Sequence, residues 1–166
     1  RSKWTGVELA DKTLGIIGLG RIGKLVAQRA LAFGMKLVAY DPYIAEERAQ
    51  QLSVELVSLE QLMEVSDFVT IHVAKTPETI NLINAESLSN AKPTLRIVNV
   101  ARGGIINESD LADAVSSGQI AGAALDVFEQ EPTVESPLFD QQSIIVTPHL
   151  GASTQEAQEK AGNTIA

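Results

Sequence analysis

Short apolar runs recur along the chain, and most are followed by a stretch of helical periodicity. Leu14 to Ile17 form an unbroken apolar run closing on glycine, the pattern of a parallel strand buried on both faces. Ile22, Leu25, Val26, Ala30 and Phe33 then recur at helical spacing, and Gly34 stands where a left-handed helix stop belongs. Leu37 to Tyr40 read as the next strand, ending in Asp41, after which Pro42 breaks the run and Ala45 to Gln51 form a short charged helix. Val54 to Val57 form a short strand, and Ser58-x-x-Gln61 a capping box that opens a helix through Leu59, Leu62 and Met63 to about Val65. Phe68 to Val73 are strand-like, residues 75–79 a loop, and Ile83 to Leu88 a short helix. Arg96 to Val100 form the next strand. Asn107, with Glu108 and Asp110, opens a helix through Leu111, Ala114 and Val115 that Gly118 closes. Ala121 to Leu125 make a small-residue strand ending at Asp126, Glu129 to Asp140 a loop with two prolines, and Ile144 to Val146 the last strand. Ser153-x-x-Glu156 opens a final helix, and the polar lead-in from Arg1 to Lys12, with isolated Trp4, Val7 and Leu9, packs on the domain edge. Strands alternating with helices predict an α/β fold with a doubly wound parallel sheet.

Composition narrows the classes. The chain has 166 residues, one domain by size, and its 45% hydrophobic and 20% charged residues are those of an ordinary globule. A net charge of −8, with scattered basic residues, argues against a nucleic-acid surface. There is no cysteine, hence no disulfide framework and no thiolate chemistry, which fits a reducing compartment. No apolar run approaches the ~20 residues that span a bilayer and no signal-peptide pattern opens the chain, so the expectation is a cytoplasmic protein without a membrane partner. Arg1 is not an initiator methionine and the last segment ends within a helical pattern. The expectation is therefore a domain, residues 1–166, excised from a longer chain.

Gly18-Leu19-Gly20-Arg21-Ile22-Gly23 fits G-x-G-x-x-G between a strand and a helix. Gly18 allows the sharp turn, Gly20 lets a pyrophosphate approach the backbone, and Gly23 lets the helix lie close on the sheet. Asp41 follows roughly 20 residues on, where a dinucleotide site needs a carboxylate for the adenosine ribose. A carboxylate there repels a 2′-phosphate, which favours NAD over NADP. The alternative is a plain strand-to-helix turn with Asp41 capping its strand.

Ligands of such sheets bind beyond the carboxyl ends of the strands. Gly18 to Gly23, Asp41, His72 to Pro77, Ala101 to Gly104, Asp126 to Glu131 and His149 to Ala152 are thus expected along one edge. Oxidising an alcohol with NAD requires a hydride acceptor, a base for the hydroxyl proton and a cation for the developing carbonyl. His149, stiffened by Pro148, is the candidate base, Glu131 its orienting carboxylate, and Arg102 a two-pronged cation for a carboxylate beside a carbonyl. Each also has a plain structural reading. His149 suits a hydrogen-bonded loop, Arg102 a loop ion pair, Glu131 a solvated loop, Asp126 a strand cap, and His72 a satisfied strand-end position. Two distant histidines without cysteine leave no metal-ligand cluster.

Four ordered stretches, Leu14 to Gly23, Asn99 to Glu108, Gly122 to Pro132 and Thr147 to Thr154, resemble the NAD-binding domain of D-isomer-specific 2-hydroxyacid dehydrogenases over nearly the whole chain. The resemblance implies a Rossmann-type domain whose substrate-binding domain is formed by segments flanking it. It implies substrate binding by Arg102, proton abstraction by His149 and support of that histidine by Glu131. For NAD it implies backbone contacts from Arg21 and Ile22 to the pyrophosphate within the turn of Gly18, Gly20 and Gly23, Asp41 at the ribose, and Thr76, Ala101, Arg102, His149 and Gly151 nearby, with Asp126 hydrogen-bonding the nicotinamide carboxamide. The family often has proline where this chain has Ala74, which leaves the contacts of His72 open. Finer texture in Phe33 to Pro42 and His149 to Gln158 resembles the members that oxidise 3-phospho-D-glycerate to 3-phosphohydroxypyruvate for serine synthesis. Members acting on lactate, glycerate or glyoxylate, and a NAD-sensing corepressor resembling the family, are the alternatives. The whole protein is expected to be a homo-oligomer with a small-molecule substrate, and the isolated domain to turn over poorly or not at all.

Overall fold

A computed structural model describes residues 6–157 and 159. Trp4 and the end of the last predicted helix lie outside them. Seven strands form one sheet: β1 (Thr13–Ile17), β2 (Lys36–Tyr40), β3 (Glu55–Leu56), β4 (Phe68–Ile71), β5 (Arg96–Asn99), β6 (Gly122–Leu125) and β7 (Ile144–Val146). Five helices join them: α1 (Arg21–Ala32), α2 (Glu46–Gln50), α3 (Leu59–Val65), α4 (Ala85–Leu88) and α5 (Glu108–Ser116). The strand order is β3-β2-β1-β4-β5-β6-β7, and every pairing is parallel. The order reverses beside β1, which pairs β2 on one side and β4 on the other, so the crevice of a doubly wound sheet opens at the end of β1.

Alternate residues of the central strands enter two separate cores, because a parallel sheet covered on both faces has no solvent side. Leu14, Ile16, Leu37 and Ala39 join Ala27 and Ala30 of α1 and Ala49 of α2. Ile17, Val38, Val69 and Ile71 join Leu62 and Met63 of α3, Leu88 of α4 and Leu111 and Val115 of α5.

The structure adds the facing of α1 and changes two local expectations. The residues of α1 buried on the sheet are Gly23, Ala27 and Ala30, whereas Ile22, Leu25 and Phe33 are exposed. Small residues let the helix axis approach β1 closely, and the larger apolar side chains fall on the outer surface. The helix expected from Ile83 begins instead at Ala85, with Asn84 as its cap, because Ile83 is fully buried in a bridge to Ile106. In the final turn Thr154, not Ser153, is the cap, its hydroxyl accepting the Ala157 N–H at 3.1 Å. The Ser58 capping box is formed as expected, Gln61 N–H donating to Ser58 Oγ and Ser58 N–H to Gln61 Oε1.

Candidate active site

The glycine turn sits between β1 and α1. Gly18 has φ +90°, which a side chain would strain, and a Cβ on Gly23 would stand 2.1 Å from the Gly18 carbonyl oxygen. Gly20 is open to solvent, with nothing within 4 Å of a Cβ there. It caps α1 without a side-chain bond, and no acid stands in the first turn, so the N–H groups at Arg21 and Ile22 and the positive end of a 12-residue helix face outward uncompensated. These are features a pyrophosphate requires.

At the end of β2, Asp41 ties the turn to its neighbour: Oδ2 accepts the Leu19 N–H at 2.8 Å and Oδ1 the Tyr43 N–H at 3.0 Å. Each carboxylate oxygen has a second lone pair, so the capping and ribose-binding readings are compatible. A hollow of about 340 Å³ joins Gly18, Gly20 and Asp41 to His72, Val73 and Thr76. His72 is a half-buried strand-end residue whose Nε2 lies 3.0 Å from Thr70 Oγ1, and burial pushes its pKa down. Thr76 is exposed, its N–H donating to Thr79 Oγ1 at 2.8 Å.

Arg102, Glu131 and His149 come together on loops after β5, β6 and β7. His149 Nδ1 lies 2.6 Å from Glu131 Oε2, and Glu131 Oε1 accepts the Phe128 N–H at 2.9 Å. The histidine contact, then the Phe128 N–H, hold the Glu131 carboxyl below its ordinary range against burial and the charge of Asp126. An ionised carboxylate only accepts, so the proton of that bond belongs to Nδ1 and the lone pair of the neutral ring is on Nε2. No hydrogen bond from the described residues occupies Nε2. Arg102 is exposed and pairs with no carboxylate among the described residues, its Nη1 donating to the Ala101 carbonyl at 2.6 Å. A hollow of about 250 Å³ is shared by Arg102, Glu131, His149 and Lys75.

Asp126 is 4% exposed and holds the histidine loop. Oδ1 accepts the Thr147 hydroxyl and, at 2.7 Å, the Leu150 N–H, while Oδ2 accepts the Gly151 N–H at 2.7 Å. Burial raises its pKa, but these three donors and nearby His149 outweigh it and leave the carboxyl below its usual range. They also hold His149 at φ +56°, a left-handed backbone that a non-glycine residue adopts only when its surroundings impose it.

Two contributors were not singled out as site residues from sequence. Buried Asn99 shapes the arginine loop, its Oδ1 accepting the Ala101 N–H and its Nδ2 donating to the Arg102 carbonyl, each at 3.0 Å. A polar residue ending an apolar strand was the available signal. Lys75, which lines the hollow, carried no such signal, because nothing local tells which way a loop lysine turns.

Residues 1–151 match the family described as D-isomer specific 2-hydroxyacid dehydrogenase, NAD binding domain. The chain belongs to this family. Its cofactor is NAD, and the uncapped helix start, the open glycine and Asp41 fit it. Two D-3-phosphoglycerate dehydrogenases are among the relatives of this 2-hydroxyacid dehydrogenase domain. That of Mycobacterium bovis is 54% identical over 100% of this chain and 31% of that protein, and that of Rattus norvegicus 50% identical over 100% and 31%. The chain thus spans about a third of the length of the curated relatives it matches. A solved D-lactate dehydrogenase from Aquifex aeolicus, in complex with NAD and lactic acid, superposes with a TM-score of 0.90 at 32% identity, covering 99% of this chain and 54% of that one.

Proposed function

We propose that this chain is the cofactor domain of a D-3-phosphoglycerate dehydrogenase, the complete protein oxidising 3-phospho-D-glycerate to 3-phosphohydroxypyruvate for serine synthesis. The observation that carries the chemistry is the 2.6 Å contact between His149 and Glu131, which leaves Nε2 without a hydrogen bond among the described residues, in a hollow shared with an Arg102 that pairs with no carboxylate among them. The choice of substrate rests on relatives of that name at 50–54% identity over the whole chain.

In this reading Arg102 binds the substrate carboxylate and the oxygen on C2, and His149 Nε2 takes the hydroxyl proton. Glu131 holds the ring and stabilises the imidazolium that forms. Bound NAD supplies the hydride acceptor. The N–H groups at Arg21 and Ile22 would hold its pyrophosphate and Asp41 its ribose, with Thr76 and Ala101 as further contacts. Asp126, beside Gly151, would accept from the carboxamide, one acceptor position on its Oδ2 being left after the bond from the Gly151 N–H.

The substrate domain is contributed by segments flanking residues 1–166, so this piece binds NAD and turns over poorly. The complete protein is cytoplasmic and a homo-oligomer. Exposed Ile22, Leu25 and Phe33, projecting from α1, suit a contact with a second copy.

The test is turnover by the complete protein with NAD and 3-phospho-D-glycerate, against D-lactate and D-glycerate with NAD and glyoxylate with NADH. A kcat/KM at least tenfold higher for the phosphorylated acid supports the reading. Preference for another acid moves the protein elsewhere in the family, and NAD binding without turnover on any acid overturns the enzymatic reading.

A further inference from the structure

We infer that Glu108 is a positioning residue for the Glu131–His149 pair, fixing from the start of α5 the loop on which Glu131 is carried. This rests on the hydride-transfer reading above. Glu108 is the first residue of α5, yet the cap there is Asn107, whose side chain accepts the Asp110 N–H at 3.1 Å. The Glu108 carboxylate turns instead to the segment between β6 and β7. Oε1 accepts the Glu129 N–H at 2.7 Å and Oε2 the Ser136 hydroxyl at 3.0 Å. These partners flank Glu131 on either side, so one carboxylate closes the base of its loop.

The bonds interlock with those of the reacting groups. Of two successive amides, Phe128 N–H donates to Glu131 and Glu129 N–H to Glu108. The loop is also pressed against the arginine loop at Gly103, where a Cβ would fall 1.6 Å from the Phe128 carbonyl oxygen. Phe128 in turn packs edge-on against Phe139, with ring centroids 5.8 Å apart. Glu108 is thus the polar tie that sets the height of Glu131 relative to Arg102, whereas Asp126 sets that of His149. Releasing the Glu129 amide frees the backbone against which the Glu131 side chain is folded. A shift of about 1 Å in such a group suffices to cost up to about 100-fold in rate. The charged groups around the pair are Asp126, which faces Glu131 and His149, and Lys75, Arg102 and Glu129 in the shared hollow.

The experiment uses the complete enzyme in five forms: wild type, Glu108→Ala, Glu108→Gln, Glu131→Gln and the Glu108→Ala/Glu131→Gln double variant. Glu108→Ala is expected to lower kcat 10- to 100-fold, to leave the NAD dissociation constant unchanged, and to displace the pH–rate profile to where Glu131→Gln places it. In the double variant Glu108→Ala adds less than about twofold, since it acts through a group already removed. Glu108→Gln, which keeps an acceptor for the Glu129 N–H, restores the wild-type profile. A lowered Tm with unchanged kcat and pH profile, or effects that multiply in the double variant, overturns the inference. If Glu108→Ala does not fold, Glu108→Asp, one methylene too short for the Glu129 amide, takes its place. If wild type oxidises no hydroxy acid, the functional reading fails separately, and the Nδ1-bound proton resonance of His149 in histidine-labelled protein decides instead. Its persistence in Glu108→Ala refutes the tie and its loss supports it.

Discussion

Glu131 and Asp126 are both ionised, but they do different work. Glu131 has one oxygen on the histidine ring, and its replacement by glutamine keeps the shape while removing the charge and the certainty about which ring nitrogen bears the proton. For Glu131→Gln we expect kcat to fall about 10²-fold or more with NAD affinity kept, read by steady-state kinetics and calorimetry. Asp126 bonds backbone donors and a hydroxyl, so its replacement acts on folding. Its carboxyl is held below the unfolded value of ~3.9, so its contribution is fully present above that pH and is lost as pH falls through the lower folded value. Asp126→Asn should therefore lower Tm at pH 7, and the gap to wild type should close below about pH 4. A gap that persists into acid would show that the charge does not hold the His149 loop.

Elements were legible where one residue type decides the local backbone. The strand ends, the glycine turn, the Ser58 box and the Asn107 cap follow from short-range rules, and with them the row of loops that carries Arg102, Glu131 and His149. Facing was not legible. The apolar spacing of α1 marks a helix, but Ile22, Leu25 and Phe33 share its outer surface while Gly23, Ala27 and Ala30 make the inner one. Periodicity reports a stripe and not which stripe is covered when small residues compete for close approach. Ile83 is similar, an apolar residue taken by a long-range bridge rather than by the neighbouring helix. The partners of Asp126 and Glu108, 21 to 28 residues away, lie beyond any local rule. The close approach of α1 has its own test. Gly23→Ala places a methyl 2.1 Å from the Gly18 carbonyl oxygen, and moving the helix off β1 should cost about 1–3 kcal/mol by thermal unfolding and weaken NAD binding with it. Unchanged affinity would separate the turn from the cofactor.

At the scale of the whole molecule the outer stripe of α1 becomes the question of assembly. Polar replacement of Leu25 and Phe33 together in the complete protein should reduce the mass measured by light scattering, and an unchanged mass would overturn this stripe as a contact between copies. Within one copy, every candidate residue stands beyond the carboxyl end of a parallel strand. The turns at the amino ends, such as Ser117–Gly118 and Gly34–Met35, turn their backbone N–H groups to their own preceding helices and bond none of them. The sheet therefore has a working end and an idle end, and the two differ in how much foreign sequence they tolerate. A short glycine-serine insertion after Gly118 would act as a handle, altering stability a little and kinetics not at all, whereas the same insertion after Arg102 would part the arginine from Gly103, which is pressed against the loop of Glu131. A fluorophore, an affinity tag or a second protein belongs at the idle end.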